Sequence, residues 1–79
     1  MTCQIAYLPF GENDTIKEVE DVLKLITQYN VKPEVHELST TVTGGNDEIF
    51  KMLQELYTYK SKEGKLFRLH VEMLHVPNN

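Results

Sequence analysis

The chain has 79 residues, of which 41% are apolar and 25% charged, with only four glycines and three prolines. A chain of this length buries only about 60–65% of its unfolded surface, so it holds one domain, and its composition is globular rather than disordered. A net charge of −4 suits phosphate backbones poorly, and the single cysteine, Cys3, excludes an internal disulfide framework or a four-cysteine metal centre.

In chain order, residues 2–8 read as a short strand closed by Pro9 and Gly11. Residues 15–29 follow as a helix, since Ile16, Val19, Val22, Leu23, Ile26 and Tyr29 recur at spacings of three and four. Thr15 with Glu18 forms a capping-box pattern, Asp14 is the alternative N-cap, and Asn30 suits a left-handed stop. Pro33–Leu38 reads as a second strand, with Val35 and Glu37 on one face and His36 and Leu38 on the other. The β-branched segment 39–43 is a third strand, ending at Gly44 and Gly45, which are expected to let the chain turn. Asn46 opens a second helix with acidic residues Asp47 and Glu48 in its first turn, a stripe of Ile49, Phe50, Leu53, Leu56 and Tyr57, and Gly64 as its C-cap. Leu66–Val76 is the last strand, with Phe67, Leu69, Val71 and Met73 sharing a face.

The order β-α-β-β-α-β predicts a ferredoxin-like α+β sandwich over residues 1–79, a four-stranded antiparallel sheet with both helices on one face. The uncovered face is expected to carry Gln4, Ala6, Leu8, His36, Leu38, Arg68, His70, Glu72 and Leu74, a mixed patch suited to a homodimer or a ligand wall. No apolar run approaches a membrane span, and Met1–Phe10 lacks the basic residues of a signal peptide, so a cytoplasmic address and no membrane partner are expected.

Most chemistry is weakly supported. His36, His70 and His75 with Glu37 or Glu72 lack a zinc-binding spacing, and their strands belong at opposite sheet edges. Cys3 sits far from any helix N-terminus that would activate it and reads as a buried small hydrophobe, while neither Ser39 nor Ser61 lies in a nucleophile elbow. Residues 43–46 precede a helix as an anion site would, but without the lysine of a P-loop and with Asp47 and Glu48 opposed to anions. The aromatic sheet signature of RNA-recognition modules is absent, so no nucleic-acid partner is expected. Small-molecule recognition survives best. Hydroxyls cluster at Ser39, Thr40, Thr41 and Thr43, and Tyr7, Phe10, Tyr57 and Tyr59 offer aromatic walls that suit a cationic heteroaromatic ligand. Plain β-propensity explains the threonines, and helix core explains Tyr57, about equally well.

The ending of strand 1, residues 7–11, the entry to strand 2, residues 29–35, and the segment 38–44 followed by 47–50 resemble the YkoF-like thiamine/hydroxymethylpyrimidine-binding family over roughly residues 4–75. Thr40 and Gly44 match its pattern, while Thr43 stands where the family usually has Glu. The resemblance implies a non-catalytic, cofactor-free protein that binds thiamine or its pyrimidine precursor and associates through its sheets into homodimers or homotetramers. The candidate ligand residues are Thr40 and Thr41 as hydrogen-bonding hydroxyls, Tyr7 as a ring contact, Gly44 at the turn beside the site, and Gln4 and His36 on the open face. The alternative is a structural or regulatory oligomerisation module of the same fold that binds no thiamine.

Overall fold

The computed structural model describes residues 1–10, 15–37, 39–75 and 77. Its elements run β1 (Thr2–Pro9), α1 (Thr15–Ile26), β2 (Val31–Val35), β3 (Thr40–Gly44), α2 (Asn46–Ser61) and β4 (Phe67–Leu74). The expected order holds, and the four strands form one antiparallel sheet in the order β2-β3-β1-β4. β2 and β4 are therefore the edges, so His36 and His70 belong to opposite edges of the sheet.

Register follows from the pleat. Ile5 pairs with Thr40 and Val71, and Cys3 with Val42 and Met73. These residues face the helices, where Cys3, Ile5 and Val42 join Val22 and Ile26 of α1 and Ile49, Met52 and Leu56 of α2 in one core. Fully burying a side chain of this size contributes about 1.5–3 kcal/mol. Gln4, Ala6, Leu8, Arg68, His70, Glu72 and Leu74 take the opposite face, as expected from alternation.

Several boundaries and faces differ from the sequence reading. α1 ends three residues early because Gln28 and Tyr29 donate to Leu25 and Ile26, tightening the last turn. Asn30 keeps a negative φ, since Val31 re-enters the sheet directly. β2 begins before Pro33 and stops at Val35, where the His36 N–H donates to the Ser39 carbonyl and closes the hairpin. In α2 the buried stripe is Ile49, Met52, Leu56 and Lys60, so Phe50 and Tyr57 point outward. Ile16 of α1 is 72% exposed whereas Glu18 is buried. Gly64, with φ of +69°, lies beyond the C-cap Lys62 rather than at it. Gly45 is extended and N-caps α2, and Gly44 is demanded by space, because a Cβ there would sit 2.9 Å from Val31 Cγ1. Gly11, Asp14, Leu38 and Val76, which also figured in the sequence reading, lie outside the described residues. No helix among the described residues is long and apolar enough to cross a membrane.

Candidate functional site

A cavity of about 290 Å³ opens between α1 and the ends of β1, β2 and β3 nearest the β2–β3 hairpin. Its floor is the helix-facing side of the sheet, Ile5, Tyr7 and Thr40, and its roof is Val19, Val22 and Ile26 of α1. Ser39, His36 and Glu37 from the β2–β3 hairpin line it as well. The strand pleat explains the set: alternate residues of β1 point under α1, and Ile5 sits beside Thr40 in register. Of the buried polar residues Glu18, Thr40 and Lys60, Thr40 is the one that lines this cavity.

Behind Tyr7 lies an ion cluster that sequence reasoning missed. Lys60 Nζ donates to Glu18 Oε2 at 2.6 Å and to Glu63 Oε1 at 2.9 Å. Lys65 donates to Glu18 Oε1 at 3.3 Å, and the Tyr7 hydroxyl donates to Glu18 Oε2 at 3.4 Å. Glu18, expected to serve a capping box, thus directs both carboxylate oxygens inward. The hydrogen bond from Lys60 holds the Glu18 carboxyl below its ordinary value, outweighing the upward push of burial. Burial alone would lower the Lys60 pKa, but its hydrogen bonds to Glu18 and Glu63 carry it above the ordinary lysine value. Burial raises the Tyr7 phenol, against the pull of the Lys60 charge, so it stays protonated at neutral pH. The Tyr7 ring is wedged between Phe67, with ring centroids 5.5 Å apart, and Lys60 Nζ, 5.3 Å from its centroid. That packing fixes the aromatic wall of the cavity. The signal for the cluster was the spacing itself: Lys60 continues the Ile49, Met52, Leu56 stripe by one turn.

The expected ligand residues fall in three places. Tyr7, Thr40 and His36 line the cavity. Thr41 faces the other way, paired with Gln4 across β1 and within 3.1 Å of His36 Nε2 through its hydroxyl. Gln4 borders a shallow depression on the open face with Ala6, Ser39, His70 and Glu72. Gly44 lies at the far end of β3, bonded to Met1 through both backbone groups. The hydroxyl cluster read from the sequence is therefore split by the pleat, Thr40 to the cavity and Thr41 and Thr43 to the open face, while Ser39 at the hairpin borders both the cavity and the open-face depression.

Chemically, the cavity is an apolar slot with the Tyr7 ring as a wall, the hydroxyls of Thr15, Ser39 and Thr40, the His36 imidazole and the Glu37 carboxylate. Its volume is near the lower end of the roughly 300–1,000 Å³ usual for small-ligand sites, about right for one substituted ring. Glu37 is the anionic side chain among its lining residues, and a cationic or amino-bearing ligand is the kind it favours.

Residues 1–75 match the sequence model of the YKOF-related family. No curated protein matches the chain significantly. Among solved structures, TM0486 from Thermotoga maritima, assigned provisionally to thiamine biosynthesis or salvage, superposes with a TM-score of 0.78 at 29% identity, covering 90% of this chain and 77% of that one. Hypothetical protein MJ1052 from Methanocaldococcus jannascii superposes with a TM-score of 0.87 at 18% identity, covering 99% and 81% of the two chains. Protein SP2199 from Streptococcus pneumoniae gives 0.75 at 17% identity, covering 95% and 87%. The last two support the fold alone.

Proposed function

Since the chain belongs to the YKOF-related family, we propose that it is a non-catalytic binding protein for thiamine or its hydroxymethylpyrimidine precursor. The observation that carries this reading is the cavity of about 290 Å³, where the fixed ring of Tyr7 faces the same space as the buried Thr40. A planar aminopyrimidine stacks or packs on Tyr7, Thr40 and Ser39 hydrogen-bond its ring nitrogens or hydroxymethyl group, and Glu37 meets amino or cationic substituents. The name of the Thermotoga maritima relative points to the same ligand class. The protein acts as a homodimer or homotetramer joined through the open sheet face, a reading supported by the exposed Leu8 and Leu74 on that face.

The test is isothermal titration of thiamine, then of hydroxymethylpyrimidine, into the purified protein. The expected result is saturable binding at micromolar affinity, about −8 kcal/mol. Absence of both heat and thermal shift for either ligand overturns it and leaves the oligomerisation module as the function.

A further inference from the structure

The two edges of the sheet are built differently. Backbone parity fixes which groups each edge offers. Phe10 N–H donates to the Leu66 carbonyl, so the even-numbered residues of β4 bond inward to β1. The outward N–H and C=O groups of β4 therefore belong to Phe67, Leu69, Val71 and Met73. On the other edge, the His36 to Ser39 bond sets the even-numbered residues of β2 inward, so Pro33 stands at an outward position. A proline there removes an edge donor, and Lys32 and Glu34 flank it, which blunts that edge against pairing. β4 has eight residues, no proline and no lysine, and its helix-side residues Val71 and Met73 are 38% and 47% exposed. An edge so long, regular and apolar is a template for another strand.

The sequence of β4 matches itself when reversed. About His70 as centre, antiparallel pairing sets Arg68 opposite Glu72 of a second copy, Leu69 opposite Val71, Phe67 opposite Met73, and Leu66 opposite Leu74. On the open face opposite charges meet, Leu66 meets Leu74 and His70 meets its own copy at the axis, while on the helix side apolar residues meet. Parity agrees, because the outward groups of Leu69 and Val71 become the bonded pairs. The Arg68 and Glu72 pairs then fall at non-bonded positions, where Cα atoms approach to about 4.5 Å and side chains are closest.

We infer that β4 pairs with β4 of a second copy about a two-fold axis at His70, joining two sheets into one of eight strands. This interface is distinct from association through the open sheet face. It also requires no ligand.

The experiment measures assembly mass by sedimentation across micromolar concentrations. Arg68→Glu places like charges opposite Glu72 of the partner and is expected to halve the mass. Arg68→Glu combined with Glu72→Arg restores the opposite pairing and is expected to restore the mass. Val71→Pro removes an outward donor and is expected to break the edge dimer, with circular dichroism checking that the subunit stays folded. Thr41→Arg, two strands in on the open face, disturbs face-to-face association and is expected to leave the edge dimer intact. His70→Cys is expected to give a disulfide-linked dimer on oxidation, since Cys3 is buried. A wild-type monomer overturns the inference. So does a mass unchanged by Arg68→Glu, or a His70→Cys protein that does not cross-link.

Discussion

Lys60 Nζ lies 2.6 Å from Glu18 Oε2 with the lysine side chain 1% exposed, so the last turn of α2 is tied to the first turn of α1 through a buried ion pair. The pair sits directly behind Tyr7 and therefore links helix packing to the wall of the candidate site. Removing one partner leaves a buried charge without its main counter-ion. Lys60→Met is expected to cost about 3–5 kcal/mol in urea unfolding, while Lys60→Met with Glu18→Leu is expected to recover much of it, because an apolar pair of similar volume avoids the desolvation cost. A double variant no more stable than Lys60→Met alone would refute this account.

The same pair sets a pH dependence. Glu18 titrates below its ordinary value of 4.5 in the folded chain, so the unfolded chain binds its proton more readily. Its contribution is present above 4.5 and disappears as pH falls through the lower folded value. Lys60 is shifted upward, so its contribution is complete below its ordinary 10.5 and is lost only as pH rises through the higher folded value. Urea midpoints are expected to fall with acid below about pH 4.5 in the wild type, and less steeply in Glu18→Gln. Parallel acid limbs for the two proteins would show that Glu18 is not the responsible group.

Gly44 tests a different assignment. Its backbone pairs with Met1 and its missing Cβ makes room for Val31, so its role is steric and lies away from the cavity. Gly44→Ala is expected to destabilise by about 1–3 kcal/mol through overpacking. Gly44→Ala with Val31→Ala is expected to lose less than the sum of the two single losses, as relief of a shared clash requires. Ligand affinity is expected to stay unchanged, and a selective loss of binding in a protein of normal stability would return Gly44 to the site.

The fold was legible because its two signals have different periods. Alternation placed Gln4, Ala6, His70 and Glu72 on the open face, and the three-and-four spacing located both helices. The errors in the helix faces share a cause: the stripes were read from apolar residues alone. Glu18 and Lys60 are each unfavourable to bury singly and tolerable together, and no local pattern in a single chain announces a partner 42 residues away. That blind spot rotated the α2 face toward Phe50 and Tyr57, and left Ile16 in a core it does not enter. The candidate cavity was legible in part. Tyr7 and Thr40, which line it, were singled out by residue type and strand position, but Thr40 and Thr41 are adjacent hydroxyls that β-propensity treats alike. Only register says which one faces the helices, and a shift of one residue exchanges them.

That exchange makes Thr40 and Thr41 a matched pair for the decisive binding experiment. Thr40 lies on the cavity floor beside Ile5 in register, whereas Thr41 points to the open face and meets His36 Nε2 at 3.1 Å. Thr→Val keeps side-chain shape and β-branching while removing the hydroxyl, so strand pairing is retained at both positions. A ligand polar group that loses its partner in a desolvated cavity costs about 1.4 kcal/mol or more, a tenfold weakening. Thr40→Val is therefore expected to weaken thiamine or hydroxymethylpyrimidine binding about tenfold, and Thr41→Val to leave it within error. The reverse pattern would move the ligand to the open face, among Gln4, His70 and Glu72. Equal losses at both positions would instead mark a change in the hairpin that positions them, because His36 borders the cavity and holds Thr41 at once.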